Sequence, residues 1–271
     1  MKIPVFPNLG NTCYLNSVLQ CLIYNPVLKN IDPSGNEFIA ELNKITGIVD
    51  TSENGENLAV LYSLKNIIKL LPFKRFEQQD AHECIMILLD SIISFIKPEY
   101  YGETRTNIHC SGCGNLTSIY EDFNCINLSV DTEASTVTEL LLKYFERETI
   151  SNYCEHCKSL NSYEKKVSLN RLPKNLIIVL KRYTFTGTKL LTKIDIEDVL
   201  KIRESATDEV KTYTLSSTIN HSGNLYSGHY TNFVFINGRW MYIDDHLVKV
   251  ENLNSEDVYI LFYNNVSFNH L

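Results

Sequence analysis

The sequence predicts an α+β protein, with helices in its first hundred residues and antiparallel sheet in its last hundred. Three observations carry this. Apolar residues recur at a helical period up to about residue 96, the pattern then changes to short β-type runs separated by turn residues, and four cysteines in two C-x-x-C pairs fall between the two regions. No Pro/Ser-rich linker divides the 271 residues, so a single domain over 1–271 is expected.

The elements follow in order. After Cys13, the residues Leu15, Val18, Leu19 and Leu22 keep a 3.6-residue period and Asn25-Pro26 closes the segment, which puts Cys13 at a helix start. Asp32 to Asn57 is rich in Gly, Asn and Ser and reads as a loop, broken by a short mixed stretch. A second helix runs from about Leu58 to Leu71 and stops at Pro72. In the third, Ala81, Cys84, Ile85, Leu88, Leu89, Ile92, Ile93 and Ile96 make one apolar stripe that Pro98 ends. An amphipathic helix, Val137 to Glu148, interrupts the β-type runs. Leu176 to Tyr183 reads as a buried strand, and further strands are expected at Tyr213–Thr218, His229–Ile236, Arg239–Asp244 and Val258–Tyr263.

Composition excludes several functions. The chain is 44% hydrophobic and 21% charged, as in soluble globular proteins. It has no apolar run long enough for a membrane span, and its start lacks the apolar core of a signal peptide, so an intracellular address is expected, cytoplasmic or nuclear. With 25 basic against 32 acidic residues the formal charge is −7, which argues against nucleic acid and favours a basic partner.

Eight cysteines in a large intracellular chain read as thiols and thiolates. Cys110-Ser-Gly-Cys113 and Cys154-Glu-His-Cys157 have the spacing of a tetrahedral zinc site, and 40 residues separate the pairs. Four thiolates fill the shell, so this zinc would be structural. His109 and His156 adjoin the pairs and are read as bystanders.

Cys13, at the first turn of a helix, has unpaired N–H groups and a dipole that favour a thiolate, the nucleophilic form. A cysteine nucleophile needs an imidazole partner, and His229, flanked by Gly228 at the start of a strand, is the candidate. The third group follows by counting. Asn237-Gly238 is a two-residue hairpin signal that pairs Ile236 with Arg239, and counting back pairs Thr231 with Asp244 and Tyr230 with Asp245. His229 and Thr231 share a face, so Asp244 is a diagonal neighbour of His229, roughly 7–8 Å away between backbones. Asp245 points to the other face, and a single bulge would exchange the two. Asn8 and Asn11 both precede the nucleophile and could donate to an oxyanion; spacing does not choose between them.

Asn8 to Ser17 (NLGNTCYLNS) with Leu19-Gln20 closely resembles the cysteine box of the ubiquitin-specific proteases, the papain-like deubiquitinases. His221-Ser222-Gly223, Gly228-His229-Tyr230 and Trp240 to Asp245 resemble the histidine box. Gln78 to Glu83 (QQDAHE) and Leu180 to Tyr183 (LKRY) resemble two further signatures, and Ile260 to Tyr263 resembles the closing strand. The match runs in order from about residue 4 to 264. Cys84, in place of a bulky apolar residue, and Asn232, in place of a small one, depart from it.

This resemblance implies a papain-like cysteine protease fold: a helical thumb over about 1–104, zinc-bearing β fingers over 105–170 and an antiparallel β palm over 171–271. The cleft lies between thumb and palm. It implies thiol-dependent hydrolysis after the C-terminal glycine of ubiquitin, with ubiquitin and ubiquitinated proteins as partners and no membrane. Structural zinc is the one metal, held by Cys110, Cys113, Cys154 and Cys157 at the fingertips, and no catalytic cofactor is expected. Cys13 becomes the nucleophile, His229 the general base and acid, Asp244 the orienting carboxylate and Asn8, chosen over Asn11, the oxyanion donor. Asp80 and Glu83 lie beside the path of ubiquitin's arginine-bearing C-terminal segment, with Tyr183 and Tyr230 as further substrate-binding residues. A protease for a ubiquitin-like modifier, or a silent ubiquitin-binding module, is the alternative.

Overall fold

The computed structural model describes residues 3–25, 27–28, 31–33, 35–51, 58–131, 133–224 and 227–266. Its helices are α1 Cys13–Ile23, α2 Glu37–Thr51, α3 Leu58–Leu70, α4 Ala81–Ser91, α5 Ile93–Tyr100 and α6 Val137–Tyr144. The first strands are β1 Gly102–Cys110, β2 Leu116–Phe123, β3 Ile126–Ser129, β4 Glu148–Cys154, β5 Ser159–Arg171 and β6 Asn175–Lys181. The remaining strands are β7 Val199–Arg203, β8 Val210–Gly223, β9 Gly228–Ile236, β10 Arg239–Asp244, β11 Leu247–Val250 and β12 Val258–Asn265. The α+β expectation holds. No helix among the described residues is long and apolar enough to cross a membrane.

The described residues form two compact units. The first is drawn from 1–97, 179–191 and 216–262. Its centre is α1, all eleven of whose residues are buried, packed against α4 and against β9. Such burial leaves polar side chains in the core, and two of them reach backbone carbonyls. Asn16 Nδ2 donates to the Phe6 carbonyl at 3.2 Å and Gln20 Nε2 to the Pro4 carbonyl at 2.5 Å. Within this unit the sheet order is β11-β10-β9, then the 216–223 part of β8, the 258–262 part of β12 and the 179–181 part of β6. From β9 to β10 the chain turns through Asn237 and Gly238, at φ 50° and 78°, the left-handed pair that a type I′ turn requires. The ladder then runs without a bulge from Ile236↔Arg239 to Asn232↔Ile243.

The second unit is drawn from 98–178, 192–215 and 263–271. Its antiparallel sheet has the order β2-β1-β5-β4, and the two cysteine pairs lie where β1 and β4 end. β3 neighbours β6, whose residues 175–178 in this unit are buried throughout, as a largely apolar run with both faces covered must be. β7 pairs with β8 from Val199↔Thr214 to Arg203↔Val210. α6 begins in a capping box, with Thr136 Oγ1 accepting from the Glu139 N–H and the Glu139 carboxylate accepting from the Thr136 N–H.

Three expectations are corrected. The loop read over Asp32–Asn57 contains helix α2; residues 34 and 52–57 lie outside the described set. Pro98 does not end a helix but sits inside α5, and the break comes at Ile92, whose φ of −123° leaves the helical region. A proline there removes only the bond to the carbonyl of Ser94, an exposed residue of a two-turn helix. α6 ends at Tyr144 rather than Glu148, which already belongs to β4. Pro26, expected to close the first helix, is outside the described residues.

Candidate active site

Cys13 is the first residue of α1, after Thr12 at the cap position, and is 3% exposed. Asn8 builds the turn that delivers it. Its Oδ1 accepts from the N–H groups of Gly10 at 3.1 Å and Thr12 at 3.2 Å, while the Leu9 N–H donates to Thr12 Oγ1 at 2.9 Å. Gly10 and Asn11 are both left-handed, at φ 97° and 60°, and a Cβ on Gly10 would lie 2.5 Å from the Phe76 ring. Only glycine closes this turn under Phe76.

With Oδ1 engaged twice, Asn8 presents its NH₂ outward. One hydrogen goes to Asp245 Oδ2 at 3.0 Å, and the group carries a second. Asn11 is committed elsewhere: its Nδ2 donates to the Phe76 carbonyl at 2.7 Å.

His229 stands near the start of β9 with Nε2 2.6 Å from Asp244 Oδ1, so a bond fixes that edge of the ring and leaves the other for the thiol. The Cys13 hydrogen bond, more than that to Asp244, pushes the imidazole up to about 9, so the charged ring is favoured at neutral pH. The hairpin count placed Asp244 on this face, and it is there. Asp245, at φ 49° in the turn between β10 and β11, also brings a carboxylate oxygen within 4.8 Å of the ring, but its hydrogen bonds come from Asn8 and, at 2.7 Å, from Asn16.

A second group lies beside these residues in the same unit. Asp80 caps α4, its Oδ1 accepting from the N–H of His82 at 2.7 Å and of Glu83 at 3.1 Å, and its Oδ2 accepts from the Tyr259 hydroxyl at 2.9 Å. Tyr183 Oη lies 3.1 Å from His221 Nδ1, and the His221 ring lies 4.6 Å from that of Tyr230, tilted by 43°; Tyr230 in turn lies 6.5 Å from Tyr259. Burial, then the charge of Lys189, pushes the His221 imidazole down to about 4, so it stays neutral. Asp80, Tyr183 and Tyr230 are therefore gathered around His221 and Tyr259. Glu83 stands outside this group, exposed on α4. Sequence reasoning gave His221, Tyr259 and Gln78 no role, although His221 and Gln78 fall inside the signatures quoted above.

In the second unit the sulfurs of Cys110, Cys113, Cys154 and Cys157 all lie within 4.8 Å of one another and could hold a metal ion. Each pair closes the same knuckle. Gly114 N–H donates to the Cys110 carbonyl at 3.0 Å and Lys158 N–H to the Cys154 carbonyl at 2.8 Å, with Gly114 and Lys158 both left-handed at φ 73° and 55°. His109 and His156 are not in the cluster.

A cysteine at a helix start, an imidazole bonded to it and a carboxylate behind the ring define a cysteine hydrolase arrangement. The chain belongs to the ubiquitin carboxyl-terminal hydrolase family, whose model matches residues 6–263. It is 25% identical over 286 residues to probable ubiquitin carboxyl-terminal hydrolase 8 of Schizosaccharomyces pombe, covering 94% of this chain and 63% of that protein. With ubiquitin carboxyl-terminal hydrolase 25 of Arabidopsis thaliana the identity is 28% over 314 residues, covering 94% of this chain and 46% of the relative. The chain thus spans less than two thirds of these curated relatives. Among solved structures, the fold is similar to one from the SAGA DUB module of Ubp8, Sgf11, Sus1 and Sgf73 bound to monoubiquitin. The TM-score is 0.85 at 24% identity, covering 96% of this chain and 68% of that one. The module bound to ubiquitin aldehyde gives a TM-score of 0.81 at 22% identity, covering 96% and 69%.

Proposed function

We propose that this chain is a deubiquitinase that hydrolyses the peptide or isopeptide bond after the C-terminal glycine of ubiquitin. The observation that carries this is the alignment of Cys13, His229 and Asp244 within the family's fold. The Cys13 thiolate attacks the glycine carbonyl, and the oxyanion is met by the free hydrogen of Asn8 Nδ2 and by the Cys13 N–H, which as a first-turn donor has no partner inside the helix. The His229 imidazolium protonates the leaving amine as the carbon–nitrogen bond breaks, leaving a thioester. The neutral ring then takes a proton from water, hydroxide adds to the thioester carbonyl, and the thiolate leaves with ubiquitin's carboxylate freed. Asp244 holds the ring so that one tautomer faces the thiol.

Asp80, Tyr183 and Tyr230 are read as the walls that receive the arginine-bearing tail of ubiquitin, with Glu83 beside its entry. Solved relatives of this fold are held with ubiquitin, which supports ubiquitin as the partner here. The cysteine cluster is read as a zinc site. Its Sγ pairs at 4.0 and 3.8 Å match the edge of about 3.8 Å of a sulfur tetrahedron at ~2.3 Å from zinc. Cys110, Cys113, Cys154 and Cys157 would fill the shell, so the ion supplies structure and no catalytic position.

The test is incubation with ubiquitin carrying a C-terminal propargylamide, followed by intact-mass measurement. One adduct on Cys13, absent in Cys13→Ala, is expected; Cys13→Ala should also lose hydrolysis of a ubiquitin C-terminal amide while still binding ubiquitin. Failure of the wild-type chain to react refutes the assignment.

A further inference from the structure

β9 outruns its neighbour on one side. β10 pairs with β9 as far as Ile243 opposite Asn232, ends at Asp244 and turns away at Asp245. Gly228 and His229 keep only β8, through Gly223↔Gly228 and Ser222↔His229. An outer edge at this point would leave the peptide groups just before the imidazole with nothing but water to hold them.

Gln78 takes the place of the missing strand. Its Oε1 accepts from the Gly228 N–H at 3.0 Å and its Nε2 donates to the Gly228 carbonyl at 2.7 Å. Two bonds exchanged with one residue are what an opposed residue makes in a hydrogen-bonded antiparallel pair. A primary carboxamide carries the donor and acceptor of a peptide unit, so one side chain reproduces one residue of strand.

The opposite face of Gly228 is closed as well. A Cβ there would lie 2.1 Å from His221 Nε2 and 2.6 Å from the Ser222 carbonyl, and His221 is itself held by Tyr183. Gly228 is gripped between the Gln78 carboxamide and the His221 ring. The segment that carries Gln78 also reaches the nucleophile turn, since the Phe76 carbonyl accepts from Asn11 and the Phe76 ring covers Gly10. Two residues further on, Asp80 accepts from Tyr259.

We propose that Gln78 is a positioning residue: its carboxamide fixes the backbone of Gly228, and thereby the origin of the His229 side chain, so that the ring meets Cys13 and Asp244 at once. The inference rests on the hydrolase reading and names what sets its geometry. The chemistry selects glutamine, because asparagine is one methylene short, glutamate accepts without donating, and methionine has the length with neither function.

The experiment compares wild type with Gln78→Met and Gln78→Glu. Two readouts are taken: steady-state hydrolysis of a ubiquitin C-terminal amide, and the pH profile of Cys13 alkylation by iodoacetamide, followed by mass spectrometry of its peptide. Gln78→Met should lower kcat at least about fivefold with KM within about twofold, because a displaced imidazole costs turnover and not tail binding. The titration step of His229, near pH 9 in the intact pair, should move to lower pH in both readouts. Gln78→Glu, which keeps the bond from the Gly228 N–H, should show the same changes and stands in if the methionine variant does not fold. Melting temperatures should stay within a few degrees of wild type. A kcat within twofold of wild type with an unmoved alkylation profile overturns the proposal. So does a raised KM with kcat and profile unchanged, which would make Gln78 a substrate contact. Alkylation needs no ubiquitin: if the wild type proves inert toward ubiquitin, the hydrolase reading fails while the alkylation profiles still decide the role of Gln78.

Discussion

Asn8 Nδ2 donates to Asp245 Oδ2 at 3.0 Å, joining the turn before Cys13 to the turn after Asp244. On the mechanism proposed above, Asp245 acts through Asn8 and Asp244 through His229. Asp244→Ala should lower kcat by about two orders of magnitude, in the range of an acid–base contribution. Asp245→Ala should lower it by about tenfold, part of what one oxyanion donor is worth. Asn8→Ala combined with Asp245→Ala should cost less than the product of the two single losses, since both remove the Asn8–Asp245 bond. The check is kcat for the four variants, with melting temperatures alongside.

The imidazole of His229, raised to about 9, sets a window on the alkaline side. kcat/KM should fall as pH rises through about 9, where the ring loses its charge. For stability the sign is the same. A histidine raised above its ordinary value of about 6.5 contributes fully below that pH, and the contribution disappears as pH climbs to about 9. The melting-temperature gap between wild type and His229→Gln should narrow over that interval. His221, lowered to about 4, works the other way: its contribution disappears as pH falls from about 6.5 toward 4.

Chelation should act on one unit first. A closed shell of four thiolates places metal-binding energy in the fold that carries it, and that fold is the sheet β2-β1-β5-β4. Treatment with phenanthroline should speed amide hydrogen exchange across residues 105–123 and 148–168 before it does so in α1 or α4. Elemental analysis of untreated protein should find one zinc per chain.

Asp80 should report two separable losses. Asp80→Ala removes the acceptor for two first-turn N–H groups and for Tyr259, and should cost about 1 kcal/mol or somewhat more in stability. Asp80→Asn keeps the capping oxygen, so its melting temperature should stay close to wild type while KM for a ubiquitin substrate rises. An unchanged KM in the asparagine variant would confine Asp80 to capping.

The sequence was most informative where its signals were local. An Asn-Gly turn with strict alternation on either side determines a register, and the register alone put Asp244 on the face of His229. α2 was missed although Phe38, Leu42 and Ile45 keep helical spacing and are buried. Its polar residues looked like loop, yet Asn36 is a cap, with Oδ1 accepting from Ile39 N–H at 3.0 Å, and Gly47 sits in open space where it costs only propensity. The partners of Asp245 and Gly228 were beyond reach for another reason. Asn8 and Asp245 are 237 residues apart, and Gln78 and Gly228 are 150. No period or turn signal spans such separations, and it is the packing of α1 against β9 and α4 that brings the pieces together.

The β9–β10 ladder subjects this family member to a rule of parity. Which carboxylate meets His229 is decided by how many residues each strand spends between the 237–238 turn and the site. One residue added to β10 alone would present the wrong face to the imidazole, because side chains alternate. Matched additions to both strands would keep the pairing, and a longer connector in place of Asn237-Gly238 would leave the count untouched. In a lineage of such enzymes, insertions should therefore collect at the hairpin tip or come in compensating pairs, and a lone insertion within either strand should mark a chain that no longer turns over substrate.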